Sequence, residues 1–518
     1  MRIGIDVGGT NTDAVLMNGT QVLASTKTPT TPNVSDGITT ALQTLVSDSG
    51  LDVATLDAVM IGTTHFTNAV VERRRLQPTA CIRLGLPATV CLPPMVDWPD
   101  DLAEVVGRNY YLAHGGHEFD GREISPFDPD EIRRLATEIE AKGIKAIAIS
   151  SVFSPVNTTF EEQTAALVKE VIPDAHITLS SQIGRIGLLE RENAAIMNAC
   201  LRDLATRTVN GFKKALADMQ ITAPFYISQN DGTLMNADFA TDYPVLTFAS
   251  GPTNSMRGAA FLSGLKDAIV IDVGGTTTDV GVLQHGFPRV AALAVSIGGV
   301  RTNFRMPDTL SIGLGGGSLV RVDAADGGAV RVGPQSVGYE LTSKAKVFGG
   351  DTLTTTDICV AAGHVAIGDK GAVVDIDADL INAVEDKIEE MVNVAVDRMK
   401  TSATAMPVII VGGGSILIQR PVAGAAEIVK PAHFAVANAI GAAIAQIGGE
   451  TDRIFSLAAM SRDEALAQAK QEAIDKAVAA GAMRETVEIV DVEEVPLAYL
   501  PGNATRIAVK AVGDLAQG

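Results

Sequence analysis

The sequence predicts an α/β protein made of two related halves, with a small α+β appendage at the C-terminal end. Three observations carry that expectation: a nine-residue motif that occurs twice, strand-length apolar runs alternating with helical patterns, and a change of character after Gly449. The 518 residues are enough for several cores.

The repeat comes first. Residues 5–13 read Ile-Asp-Val-Gly-Gly-Thr-Asn-Thr-Asp, and residues 271–279 read Ile-Asp-Val-Gly-Gly-Thr-Thr-Thr-Asp, so only Asn11 and Thr277 differ. Each copy has an apolar run before it and another after it, Ala14 to Met17 and Val280 to Leu283. A turn follows, Asn18-Gly19 or His285-Gly286, and then a third strand-like run. Both halves therefore open on a β-meander whose first bend holds Asp, two Gly and hydroxyls. Adjacent glycines allow a tight bend and leave no Cβ between its amides and a bulky anion. Such a row of amides makes an anion site, and the Thr hydroxyls add donors. Gly8, Gly9, Thr10, Asn11 and Thr12 in one copy, and Gly274, Gly275, Thr276, Thr277 and Thr278 in the other, are thus candidate phosphate ligands. Asp6 and Asp272 would repel phosphate unless a divalent cation stood between, which marks them as candidate Mg²⁺ ligands. A lone Gly-Gly-Thr is a common structural turn; two copies, each opening a meander, ask for more than turn formation.

The remaining elements follow in order. A first domain over 1–200 is expected to hold a helix at 35–48, with Ser35 as N-cap and Gly50 past its end. Strands near 57–62, 144–150 and 176–180 alternate there with helices at 64–74, 129–142 and 158–170. The stretch 76–127, with Pro87, Pro93, Pro94 and Pro99, reads as an insertion rather than core. A helix over 187–218 crosses between domains. A second domain over 201–450 resumes with strands near 224–228 and 244–248 and the second hairpin. It continues to Val408–Ser415, a strand that ends in Gly412, Gly413 and Gly414, and to an Ala/Gly helix over 435–445. The appendage, 451–518, carries a helix at 462–480 and strands at 486–491, 495–500 and 505–512.

Composition narrows the function. A net charge of −20 and a pI near 4.8 argue against a passive grip on nucleic acid or an anionic membrane. Four scattered cysteines without a Cys-x-x-Cys pair point to a reducing compartment. Met1 runs straight into a strand with no signal-peptide core, so a cytoplasmic protein is expected. The weakly polar stretch Phe434 to Gly449 is shorter than a membrane span and reads as a buried helix.

The two bends, the glycine-ended strand and the small-residue helix, taken in that order, resemble the acetate-and-sugar-kinase, heat-shock chaperone and actin superfamily. The resemblance implies two ribonuclease H-like (actin/hexokinase-like) domains around an ATP–Mg²⁺ cleft, with Gly412 to Gly414 beneath the adenosine. Further stretches are similar to the A-type subunit of the hydantoinase/oxoprolinase family. They are Gly62-Thr-Thr-His-Phe-Thr-Asn-Ala-Val-Val-Glu-Arg73, Glu190-Arg-Glu-Asn193 with Asn198, Ser250-Gly-Pro252, Gly313-Leu-Gly-Gly-Gly-Ser318, Val332-Gly-Pro334, and Gly349-Gly350 with Thr356-Asp357. That likeness implies ATP-dependent opening of a cyclic amide such as a lactam, hydantoin or 5-oxoproline. ATP phosphorylates the amide oxygen, and a B-type partner subunit helps water attack the activated carbon. One departure stands out: Tyr339-Glu-Leu-Thr-Ser-Lys-Ala-Lys346 replaces the family's Pro-Gly-Pro stretch. No B-type region is present in the chain, so the partner is expected to be separate; a homo-oligomer is also compatible.

Several residues are candidates for the chemistry. His65 follows Gly62-Thr63-Thr64 at a strand-to-helix junction, where ligand sites collect, and is a candidate substrate contact with Glu190 and Asn193. Asp13 and Asp279 are candidate catalytic carboxylates. A small-molecule kinase is the alternative function, and for it Asp13, Asp279 or Asp308 would be the base. An actin- or chaperone-like switch is the third reading. His114 and His117 read more simply as part of a polar loop than as a metal pair. Cys81 and Cys91 lack a partner signature for nucleophilic catalysis.

Overall fold

The computed structural model describes residues 1–30, 34–291, 294–323, 329–498, 500 and 502–515. The expected cap Ser35 falls in the first turn of the helix Val34–Ser49, and its side chain lies outside what is described.

Each copy of the repeat forms the hairpin its sequence predicts, in the same register. Arg2–Val7 pairs antiparallel with Asn11–Asn18, setting Asp6 opposite Asp13. Ala268–Val273 pairs with Thr278–Gln284, setting Asp272 opposite Asp279. The alternation of strand side chains divides each hairpin between two cores. Ile3, Ile5, Val7 and Leu16 pack toward the helix Val34–Ser49, whereas Val15 and Met17 meet the helix Ala437–Ile444. In the second hairpin Ile269, Ile271 and Val273 pack toward the helix Ala378–Met399, and Val270 faces Met256 and Ala259 of the helix Ser250–Ser263.

The two helices on the shared side, Ser250–Ser263 and Ala437–Ile444, cross at very short range. A Cβ on Gly441 would overlap the Asn254 carbonyl, so the crossing needs glycine there. These two helices form the floor that joins the two hairpin sheets.

The sheets do not follow the expected domain cuts at 200 and 450. The first hairpin belongs to a nine-stranded sheet that also contains the third meander strand Gln21–Pro29, and Ala58–Thr63, Phe225–Ser228, Leu234–Asn236, Ile447–Ser456, Ala504–Gly513 and Glu488–Pro496. Residues expected in the second domain and in a separate appendage therefore extend the first sheet. The physical reason is an alanine stripe. Ala465, Ala469, Ala473 and Ala477, four residues apart on the helix Arg462–Ala479, are fully buried and pack with Ile507, Val509 and Ala511 in one core. So small a face lets the helix sit close on the strands Ile447–Ser456 and Ala504–Gly513, where a Cβ on Gly449 would meet the Ala473 carbonyl.

The expected insertion is also larger and more ordered than its prolines suggest. Thr79–Leu86 is an inner strand of a separate four-stranded parallel sheet with Asn109–His114, Ala146–Ser151 and His176–Leu179. The strands near 144–150 and 176–180 thus pair with this sheet and not with Ala58–Thr63. Helices Pro129–Ala141 and Thr159–Val171 cover it around a core of its own. The 31-residue helix Leu188–Asp218 ties it to the rest. Glu192 on that helix is fully buried against Arg83, with Arg83 Nε to Glu192 Oε2 at 2.7 Å, and accepts from Ser150 as well.

A strand was expected at 244–248; Pro244–Thr247 is instead a 3₁₀ turn, which the missing N–H of Pro244 suits better than a ladder. The third strand of the second meander is split. Phe287–Pro288 pairs briefly, the chain leaves through the ribbon Val295–Ile297/Val300–Thr302, and Thr309–Ile312 returns beside Thr278–Gln284. Among the described residues no helix is long and apolar enough to cross a membrane.

Candidate active site

The two bends meet tip to tip. Gly8 N donates to Asn11 O at 3.0 Å and Gly274 N to Thr277 O at 2.9 Å, so both close in the same way. Thr10 Oγ1 lies 3.2 Å from Thr276 Oγ1, its repeat counterpart 266 residues on. The amides of Gly9, Thr10, Gly275 and Thr276 make no hydrogen bond among the described residues. Thr12 and Thr278, expected to offer hydroxyls to the cleft, do not. Both are buried: Thr12 Oγ1 lies 3.3 Å from Thr30 Oγ1, and Thr278 Oγ1 donates to Leu314 O at 2.7 Å.

The bends are braced by different scaffolds. Thr30 donates through its hydroxyl to Gly8 O at 2.8 Å and through its amide to Thr10 O at 3.0 Å. The second bend leans on the glycine run 313–317. Gly316 N and Gly317 N donate to Gly274 O and Gly275 O at 3.0 and 2.7 Å, and Thr355 Oγ1 holds Gly316 O at 2.9 Å from behind. That run thus acts as the bend's backing. Gly412 takes φ +87° and presses the turn 412–414 onto Val273 and Asp272.

Four carboxylates stand behind the bends. Asp6 is 4% exposed and accepts from Asn254 Nδ2 at 3.2 Å and Asn438 Nδ2 at 3.0 Å. Burial, with the charges of Asp13 and Asp272, pushes its pKa up to about 6 against those two hydrogen bonds. Asn438 also donates to Asp13 Oδ2 at 2.9 Å, and Lys27 forms an ion pair with Asp13 Oδ1. Asp272 is raised by burial and by Asp13, against a hydrogen bond from Ser255 and the charge of Lys27. Asp279 accepts from Ser311 and is pushed up to about 7, chiefly by burial and further by Asp272. Lys27, Asn254 and Asn438 carried no motif in the sequence. They arrive from the third strand and the two floor helices, and only the fold brings them to the carboxylates.

A cavity of about 390 Å³ opens beside the first bend. Gly8 and Gly9 form one wall; His65 and Arg75 form another, and Tyr339 enters from the second half. Arg75 Nη1 lies 3.3 Å from His65 Nε2, and burial together with the Arg75 charge lowers the His65 pKa to about 4.

Two expected substrate contacts do not line this cavity. Asn193 is 1% exposed, accepts from Trp98 Nε1 at 2.7 Å and donates to Arg301 O at 3.0 Å. Glu190 pairs with Arg301 at 2.9 Å. Both fasten the crossing helix to the ribbon that spans residues 295–302, so their polar groups are spent on the scaffold. Asp308 is paired with Arg289 at 2.7 Å. His114 and His117 also stand apart: His114 pairs with Glu131, while His117 is stacked on Phe160. All four cysteines are free.

Comparison with known proteins agrees with this architecture. Residues 2–172 match the hydantoinase/oxoprolinase N-terminal region, and residues 191–369 match the hydantoinase/oxoprolinase model. The chain is 25% identical to caprolactamase subunit alpha of Pseudomonas jessenii, across 77% of this chain and 60% of that one. It is 27% identical to the acetophenone carboxylase gamma subunit of Aromatoleum aromaticum, across 70% and 53%. It thus spans little more than half the length of these relatives. In fold it is similar to the ATP-dependent caprolactamase from Pseudomonas jessenii, with a TM-score of 0.78, 20% identity, and coverage of 100% of this chain and 88% of that one. It is also similar to nucleotide-free acetone carboxylase, with a TM-score of 0.70, 18% identity and the same coverage. The chain belongs to the hydantoinase/oxoprolinase family.

Proposed function

We propose that this chain is the ATP-using subunit of an enzyme that opens a small cyclic amide by phosphorylating the amide oxygen. The observation that carries the reading is the tip-to-tip pair of bends, with open amides in front and carboxylates behind. The amides of Gly9, Thr10, Gly275 and Thr276 would hold phosphate oxygens, joined by the hydroxyls of Thr10 and Thr276. Gly412 to Gly414 would pass beneath the adenosine.

Asp6 and Asp272 fit a hydrated Mg²⁺. Their pKa values are raised chiefly by burial and further by neighbouring carboxylates, a cost that a divalent cation would relieve, and Mg²⁺ asks for only one or two carboxylates while keeping several waters. When bound, it would neutralise charge on the phosphates as the γ-phosphoryl group moves.

The carboxylates favour an amide over a hydroxyl as acceptor. A hydroxyl gives up a proton on phosphorylation and needs a free base. Asp13 is held by Lys27 and Asn438, Asp308 by Arg289, and Asp279 by the Ser311 hydroxyl. An amide oxygen attacks phosphorus with its lone pair and has no proton to lose. Asp13 and Asp279 would then serve beside a bound Mg²⁺ as charge and water-orienting groups.

The names of the relatives support the reading: an ATP-dependent caprolactamase, and several proteins named as subunits, which suits a separate B-type partner for the water step. Activation of a ketone oxygen is the second reading, supported by the acetophenone and acetone carboxylase relatives. Calorimetry with ATP–Mg²⁺, followed by ADP release with lactams, hydantoins and ketones, tests both readings. A folded sample that does not bind ATP, or that yields a stable phosphoester, refutes them.

A further inference from the structure

We infer that Lys27 is a phosphate ligand, its ammonium held by Asp13 and set against the inner phosphates, α and β, of the bound nucleotide. The inference rests on the proposed ATP binding and adds to it a side chain that no motif marked.

Register is the first argument. On the third strand of the first meander Lys27 lies directly opposite Asp13, so the two side chains leave the same face of the sheet. The duplication breaks at this position. Its counterpart opposite Asp279 is Ser311, whose hydroxyl donates to that carboxylate. The bends are near copies, yet a cation backs one hairpin and a neutral hydroxyl the other. Packing common to both halves does not ask for the lysine.

Reach is the second. Lys27 belongs to the first half, but its ammonium extends to the second: a Cβ placed on Gly413 would lie 3.9 Å from Lys27 Nζ. Gly413 is part of the turn that would pass beneath the adenosine, and Asp13, the lysine's ion-pair partner, stands behind the first bend. A phosphate chain laid from that turn toward the bends starts beside the ammonium.

Charge is the third. Among the described residues Lys27 is the one cation paired with any of Asp6, Asp13, Asp272 and Asp279, and its charge acts on Asp272 as well. Four carboxylates behind the bends repel a polyphosphate, and an ammonium in their midst offsets part of that repulsion beside Mg²⁺. Only 5% of the Asp13 side chain is exposed against 35% of Lys27, so the pair is open on the lysine's side. An ammonium has three N–H donors, and Asp13 Oδ1 takes no hydrogen bond among the described residues, which leaves donors for a phosphate while the ion pair stays in place.

Calorimetry of the full chain with ATP, ADP and adenosine, in excess Mg²⁺, tests this. Lys27→Met strands the buried Asp13, so it is measured together with Lys27→Met/Asp13→Asn, in which that charge is gone, and with Asp13→Asn alone, which keeps the ammonium. Both lysine variants should bind ATP and ADP roughly tenfold more weakly than wild type or worse, and adenosine as wild type does. Asp13→Asn alone should bind ADP more tightly than the double variant. Undiminished ATP affinity in the double variant, an equal loss for adenosine, a loss confined to ATP, or equal ADP affinity of Asp13→Asn and the double variant overturns the inference. Failure of the wild type to bind ATP is a distinct result, which overturns the proposed function and this inference with it.

Discussion

Asp6→Asn should make the nucleotide-free protein more stable while it abolishes Mg²⁺-dependent ATP binding. Asp6 is 4% exposed, and its pKa stands near 6 against an ordinary 3.8. Ionising it in the folded chain therefore costs roughly 3 kcal/mol more than in the unfolded chain. The sign follows from the direction of the displacement. A raised carboxylate pKa means that the folded state holds its proton more tightly. The cost is absent well below pH 3.8, grows as pH rises toward 6, and is complete above that. Asparagine has the same shape and never ionises; its Oδ1 accepts from Asn438 Nδ2, and its Nδ2 donates to Asn254 Oδ1, which has no partner in the wild type, once that amide turns over. The variant should exceed wild type by about 2–3 kcal/mol at pH 7 and by under about 1 kcal/mol at pH 4. Urea midpoints of both proteins, in chelator, across pH 4 to 7.5, measure that gap. Titration of ATP with and without Mg²⁺ measures the loss of function. A variant less stable than wild type at pH 7, or a gap that does not change with pH, would refute the argument that burial and neighbouring carboxylates strain this site.

Other outcomes follow from the same geometry. ATP–Mg²⁺ affinity should rise between about pH 5.5 and pH 7.5, because Asp6 near 6 and Asp279 near 7 must lose protons before they can meet a cation; calorimetry at fixed ionic strength shows it. Gly441→Ala should cost several kcal/mol or leave the chain insoluble, since its Cβ would meet the Asn254 backbone in a rigid crossing, whereas Gly9→Ala has nothing within 4 Å and should leave the melting temperature unchanged. Glu192→Ala strands Arg83 in the interior and should destabilise by about 3–5 kcal/mol, while the paired change Arg83→Met with Glu192→Leu should recover most of it; denaturation midpoints of the three proteins decide.

What the sequence disclosed, and what it hid, has a physical pattern. The hairpins were legible because bend, strands and turn are all local, and duplication removed the ambiguity of a single Gly-Gly-Thr. Helices with clear caps and periodicity, such as Pro129–Ala141 and Arg462–Ala479, fall within a residue or so of expectation. Sheet membership was not legible. Thr79–Leu86 read as part of an insertion, and Ile447–Ser456 as the end of a buried helix and the start of the appendage, because strand partners far along the chain leave no local mark. The same reason hid Lys27, Asn254 and Asn438, which are ordinary residues until the fold sets them on the carboxylates. Motif position also misled: Glu190 and Asn193 stand in a family-like stretch, yet their side chains bind Arg301 and Trp98. Motif letters report that a residue matters, and only its contacts report how.

The central claim is that the acceptor of the phosphoryl group is the oxygen of the amide. A cyclic amide labelled with ¹⁸O at its carbonyl, turned over by the chain with its B-type partner, ATP and Mg²⁺, tests it directly. Attack of the labelled oxygen on the γ-phosphorus activates the carbon. Water adds there, and the carbon–nitrogen bond breaks to free the amine and leave a ring-opened acyl phosphate. Attack of a second water at that acyl carbon breaks the carbon–oxygen bond and carries the label into inorganic phosphate. Mass spectrometry should find one ¹⁸O in each phosphate released with ring opening. Unlabelled phosphate, with the ¹⁸O retained in the opened product, would contradict the account.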